Sequence, residues 1–289
     1  MNINFEIDKW NDISINYKYK IETINNVKYF CYDEKNKDLK NLSFTMDTNE
    51  IMKKAMIDLL NIGKVLYYNE DDDIDEMIVS FANTYGLLGF MNTFPINNLY
   101  VSDDKVILKE NDFEIEKPIS VDEYFSRFFP KLDKETINSR IKEYRENYLY
   151  NEISSHLRYS EFDKITILSK DYCEPINLIK DYSKKLYTML VNSLNNTKVE
   201  ESLKFSNVSF EYIVDSTSTK MNYIVNSLAK YIDILFISYI TQENSLLKTC
   251  KFCNKAFIAN SQKQEYDDIK CKNRASIQSY RERQKEENN

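Results

Sequence analysis

The stretch that decides the reading is Cys250-Lys-Phe-Cys253, followed by Phe257, by Tyr266-Asp-Asp-Ile-Lys-Cys271, and by the run Lys272-Asn-Arg-Ala-Ser-Ile-Gln-Ser-Tyr-Arg-Glu-Arg-Gln-Lys285. Two cysteines with two residues between them can fold round one ion in a knuckle turn, with Phe257 placed to pack beneath it. A lone pair of this kind also occurs in redox sites, so the third cysteine matters. Cys271 follows Cys253 after seventeen intervening residues, and three thiols at that spacing make a structural zinc site the leading reading.

Beyond the third cysteine the periodicity is helical. At about 100° per residue, Asn273, Ile277, Tyr280 and Gln284 share one side, which is expected to pack on the knuckle and Phe257. Arg274, Gln278, Arg281 and Lys285 form an adjoining stripe, and Lys272 and Arg283 flank the packing face on its other edge. Residues 246–289 hold ten lysines and arginines against six acids, a net of +4 in a chain whose total is -7. This tail is the one substantial basic patch in the sequence. Lys272, Arg274, Gln278, Arg281, Arg283 and Lys285 are therefore the candidate nucleic-acid contacts, since arginine can hold phosphate or read guanine edges. Against this, Glu282 and Glu286 fall opposite the expected packing side, where they would repel phosphate. The competing expectation is a zinc-stapled helix whose arginines pair with acids of the preceding domain.

The same residues resemble the CGNR zinc-finger family of stress-induced transcription-regulator-like proteins. Its carboxy-terminal module has a Cys-x2-Cys pair, an aromatic, a Tyr/Trp-Cys-x3-Cys-Gly-Asn-Arg-Ala segment and a basic helix ending Tyr-Arg-x-Arg. Cys250, Cys253, Phe257, Tyr266, Cys271, Asn273, Arg274, Ala275, Tyr280, Arg281 and Arg283 match that pattern. The resemblance covers about the last forty residues. It implies a structural zinc ion and a DNA-binding function. Two positions depart: the third ligand position is Asp267 instead of cysteine, and the family glycine is Lys272. A carboxylate oxygen is an acceptable but harder zinc ligand, so Cys250, Cys253, Asp267 and Cys271 would bind less tightly than four thiolates. Asp268, a water, or a remnant that binds no metal are the alternatives.

Upstream, 289 residues with 42% hydrophobic and 29% charged content suit a globular chain with its own core. Three glycines, Gly63, Gly86 and Gly89, cannot build a phosphate loop or a dinucleotide fingerprint. A single histidine, His156, excludes His-pair zinc sites and reads as a surface or capping residue. With scattered acids it assembles no nucleophile–base pair, so no enzyme is expected. The amino terminus lacks a secretory apolar core, and the longest apolar stretch, 232–240, is too short to span a bilayer. A cytoplasmic location with no membrane contact is expected. Cys31 and Cys173 stand alone, and the cysteine distribution points to a metal site in a reducing compartment, not a disulfide framework.

The alternation from Ile13 to Tyr32 around Asn25-Asn26 predicts a hairpin. A helix is expected from Asp47-Thr48 to a glycine stop at Gly63, and another behind the acids Asp71 to Glu76 with Ile74, Met77, Ile78, Phe81, Tyr85 and Leu88 as its buried stripe. Leu99 to Leu108 reads as a second hairpin around Asp103-Asp104, and Val121 to Phe129, Ile137 to Arg158 and the segment after Pro175 read as helices. Val208 to Val214 reads as a strand, and Met221 to Tyr239 as a helix of about five turns. The expected fold class is α+β: a predominantly helical amino-terminal domain with small hairpins over 1–245, then a small zinc finger with a basic helix over 246–289. The expected function is a DNA-binding transcriptional regulator with Zn2+ as structural ion. The alternative is a non-enzymatic interaction module for a protein partner or a second copy, in which zinc only staples the carboxy-terminal helix.

Overall fold

A computed structural model describes residues 3–7, 18–33, 48–70, 73–86, 88, 105–106, 119–136, 139, 171, 173–197, 209–214, 219–225 and 228–287. The elements in chain order are β1 (Ile3–Ile7), β2 (Tyr19–Ile24), β3 (Val27–Tyr32), α1 (Thr48–Tyr68), α2 (Ile74–Tyr85), β4 (Lys105–Val106), β5 (Ile119–Ser120) and α3 (Val121–Phe128). They continue with β6 (Cys173–Pro175), α4 (Ile176–Leu194), β7 (Ser209–Val214), β8 (Thr219–Val225), α5 (Leu228–Ile240), β9 (Leu247–Thr249), β10 (Ala256–Ile258) and α6 (Ile269–Glu287). The chain is thus a mixture of helices and small sheets ending in a helix. His156, all of the expected helix over 137–158 but residue 139, and most of the 99–108 hairpin lie outside the described residues.

The chain divides into two compact units, the first comprising residues 1–45, 78–179 and 203–230, the second 46–77, 180–202 and 231–289. In the first unit, β2 and β3 pair antiparallel through the predicted Asn25-Asn26 turn, where both asparagines have positive φ (51° and 64°). Two successive left-handed residues give the turn the twist that antiparallel strands require. The ring of Tyr19 stacks on Phe30 at 4.9 Å, and β6 extends the sheet by pairing with β3. That pairing puts Cys31 opposite Cys173 with their Cα atoms 4.6 Å apart, and the two are joined as a disulfide. The two cysteines that stand alone in sequence are therefore partners, which a separation of 142 residues conceals. A second sheet has the order β1-β8-β7, with β7 over most of the predicted 208–214 strand.

The expected helix from Met221 to Tyr239 is corrected: residues 219–225 form β8, paired with β7 and β1, and the helix begins only at Leu228. Met221, Ile224 and Val225 fit helical spacing, but a short stretch with β-branched and aromatic residues fits a strand equally well, and pairing decides.

The second unit carries α1, most of α4 and α5, and the carboxy-terminal segment. Leu59, Leu60, Met56, Leu186, Tyr187, Tyr231, Ile232 and Phe236 are fully buried there. Burial at roughly 1.5–3 kcal/mol for each large apolar side chain gives these helices a core that needs no metal. The glycine stop at Gly63 is also corrected, since α1 runs on to Tyr68. A Cβ on Gly63 would stand 2.0 Å from the backbone oxygen of Ser183 and 2.9 Å from Cβ of Tyr187, so the glycine permits close approach of α4. The helix ends instead at Asn69, with φ of 52°, where the Glu70 N–H donates to the Val65 carbonyl at 3.0 Å. That is a Schellman cap with asparagine in place of glycine. Asn196 (φ 51°) ends α4 the same way, with the Thr197 N–H donating to the Asn192 carbonyl. At the predicted second helix, the Asp73 carboxylate accepts from the Glu76 N–H at 3.1 Å, and Ile78, Phe81 and Tyr85 are buried as expected.

Candidate metal centre

The knuckle is built from the backbone upward. Strands β9 and β10 pair antiparallel, Ala256 opposite Thr249, and the residues between them turn through Asn254 with φ of 59°. The Cys250 N–H donates to the Lys255 carbonyl (2.8 Å) and the Asn254 N–H to the Cys250 carbonyl (2.9 Å), which folds Cys250 and Cys253 onto one side. The chain from Ala259 to Tyr266 is held by its own latches. Lys248 Nζ donates to the carbonyls of Gln262 and Gln264, Gln264 Oε1 accepts from the Asn260 N–H, and Gln264 Nε2 donates to the Tyr266 carbonyl. Lys251 and Glu265 add an exposed ion pair at 2.6 Å.

This brings Asp267 and Cys271 to the two knuckle cysteines. One ligand atom from each of Cys250, Cys253, Asp267 and Cys271 lies within 4.8 Å of all the others, and the four lie close enough to bind a metal ion. Among the described residues this is the one such cluster of histidine, cysteine or acid side chains. Thiolates about 2.3 Å and a carboxylate about 2.1 Å from a tetrahedral ion stand roughly 3.6 Å apart. Cys253 Sγ and Asp267 Oδ2 are 3.6 Å apart. Cys250 and Cys271 are buried with Phe257 and Ala259, and Leu246, Phe252, Cys253 and Tyr266 pack against them. Phe257 thus sits where the sequence places it.

The two neighbouring acids have different tasks. Asp268 Oδ1 accepts from the Cys271 N–H at 2.6 Å, which makes Asp268 the N-cap of α6. Asp267 turns the other way, with Oδ1 accepting from the Asp268 N–H and Oδ2 facing Cys253. Burial pushes the Asp267 carboxyl up. Hydrogen bonds from the Cys250 and Cys271 thiols and the Asp268 amide outweigh that and hold it below the usual carboxylate range. The hydrogen bond to Asp267, then burial, pushes the Cys271 thiol well up; burial is the main cause raising Cys253. An ionised carboxylate among neutral thiols holds protons where a cation would sit.

Residues that the sequence did not single out fasten this segment within its unit. The Asn61 side chain on α1 pairs with both backbone groups of Ala256, accepting from its N–H (2.8 Å) and donating to its carbonyl (3.3 Å). Tyr187 on α4 donates to the Asn254 carbonyl at 2.6 Å. Nothing local marks either residue, because their partners are backbone groups far along the chain.

The orientation of α6 is a correction. Cys271 is its buried residue and Ala275 its half-buried one, while residues 272–274 and 276–287 are exposed. Ile277 is 52% and Tyr280 61% exposed. Asn273, Ile277, Tyr280 and Gln284, expected to pack on the knuckle, face away from it, half a turn from Cys271 and Ala275. The cause is Cys271 itself, whose buried side chain points into the cluster, and one turn later only Ala275 follows it. Glu282 and Glu286 accordingly lie on the knuckle side, not on the outermost face. Lys272, Arg274, Gln278, Arg281, Arg283 and Lys285 are all exposed. Gln278 donates to Glu282 and Arg283 Nε to the Ser279 carbonyl within the helix. Among the described residues no ion pair engages Arg274, Arg281, Arg283 or Lys285.

Among the described residues no helix is long and apolar enough to cross a membrane. No protein-family model matches the chain, and no curated protein or solved structure matches it.

Proposed function

We propose that residues 246–289 form a CGNR-like zinc module, with Zn2+ held by Cys250, Cys253, Asp267 and Cys271, and that its helix binds DNA as part of a transcriptional regulator. The observation carrying this is a four-ligand cluster at the foot of a helix that is exposed over nearly all its length and rich in arginine and lysine. A borderline-soft ion suits three sulfurs and one oxygen, and four ligands with no open position make the ion structural. The ion reinforces the small hydrophobic core of this short segment, and it fixes the helix at one end only. The remaining turns are free to meet a polyanion, and the cationic edges supply the salt-dependent attraction that nucleic acid requires.

The second reading, a protein-interaction module, is favoured by the exposed Ile277 and Tyr280. Fluorescence titration of a labelled duplex with zinc-loaded full-length protein, at two salt concentrations, separates the two. The DNA reading expects binding that weakens steeply with salt. No binding at low salt leaves the interaction module.

A further inference from the structure

We infer that the outward face of α6, centred on Asn273, Ile277 and Tyr280, reads base edges in the major groove of duplex DNA; this rests on the DNA-binding reading above. The direction of the face follows from the metal cluster. Cys271 fixes the rotation of the helix, Ala275 continues the attached side, and Asn273, Ile277 and Tyr280 point the opposite way. Their chemistry differs from that of a phosphate-binding strip. Asparagine can pair in bidentate fashion with adenine N6 and N7, an aliphatic side chain packs on the thymine methyl, and a tyrosine hydroxyl both donates and accepts.

The charges are arranged to match. Lys270, Arg274 and Arg281 line one edge of the face, and Arg283 stands beyond the other. Cations on both edges of a neutral central strip complement a groove whose floor carries bases and whose two walls carry phosphates. A helix with side chains is about 10–12 Å across, and the major groove is about 12 Å wide. Glu282 and Glu286, on the knuckle side, would stay out of the groove. Glu287 is the one acid of the helix on the outward side; it sits in the last turn and accepts from the Gln284 amide at 3.5 Å. The reading turns are therefore the roughly two from Asn273 to Tyr280, early in the helix.

The test is selection by zinc-loaded full-length protein from a pool of duplexes with a randomised core, followed by titration of the selected duplex. Wild type should enrich a short motif. Asn273→Ala, Ile277→Ala and Tyr280→Ala should each lose preference at one or two adjacent positions, by about tenfold to a hundredfold for the preferred base. These side chains are exposed, so zinc content and helicity should hold and serve as the folding control. Glu282→Gln with Glu286→Gln should select the wild-type motif. Duplex binding that enriches no motif, or a motif unchanged in all three alanine variants, overturns the inference and leaves DNA binding standing. Absence of binding to any duplex at low salt overturns both.

Discussion

Two parts of the second unit are stabilised in opposite ways. The helices α1, α4 and α5 bury large side chains such as Leu59, Tyr187, Tyr231 and Phe236 completely. Among its described residues the carboxy-terminal segment buries only Leu247, Cys250, Ala256, Phe257, Ala259 and Cys271, and two of those six are candidate ligands. A segment that small cannot offset its conformational entropy by apolar burial alone. The helices are held by area, and the tail by a few directional contacts and, in our account, an ion.

That contrast predicts its own largest effect. Structural zinc contributes roughly 10–16 kcal/mol of apparent binding free energy in small fingers at neutral pH. Chelation, or Cys250→Ser, should therefore abolish protection of the tail amides in hydrogen exchange while α1 and α4 keep theirs. Loss of protection in both regions together would break the comparison. The pH dependence sharpens it. Cys253 and Cys271 are raised in the metal-free fold, so protonation favours that fold, which loses stability as pH climbs from the ordinary thiol range through the raised values. Metal binding has the opposite sign, because the ion displaces those protons, and affinity should fall about tenfold per pH unit for each displaced proton as pH drops.

The helical region should answer to packing alone. Gly63→Val puts a branched side chain where a single Cβ already meets Ser183 backbone. A loss of about 2–4 kcal/mol in urea unfolding is expected, with zinc content unchanged. A loss under about 0.5 kcal/mol would show that α1 and α4 are not in close contact at this point.

The two adjacent acids give the smaller effects. Asp267→Ala should weaken zinc binding and Asp267→Cys should tighten it, because the softer ligand suits the ion better. Asp268→Ala removes an N-cap, costs about 1 kcal/mol of helix stability, and keeps all four ligands. Competition with a chromophoric chelator checks both, and the reverse ranking would reassign the fourth ligand to Asp268.

Local signals made part of this legible. Three cysteines at finger spacing, the Asn25-Asn26 turn and the capping Asp73 each act on residues close in sequence, and each appears in the structure where the sequence places it. Three of the errors share a cause, since distant partners decide them. Gly63 serves the close approach of Ser183, the 221–225 run serves strand pairing, and Cys31 waits for Cys173. With so few glycines, the stops of α1 and α4 fall on asparagine, and every described non-glycine residue with positive φ is an asparagine. The rotation of α6 was recoverable from sequence. A ligating Cys271 must point into the cluster, and that alone turns Ile277 and Tyr280 outward.

The most direct test of the central claim is elemental analysis of full-length protein purified without chelators, beside a Cys271→Ser variant. We expect about one zinc per chain in the first and substantially less in the second. No stoichiometric metal in the unaltered protein would contradict the account, and the order of the tail would then need another cause.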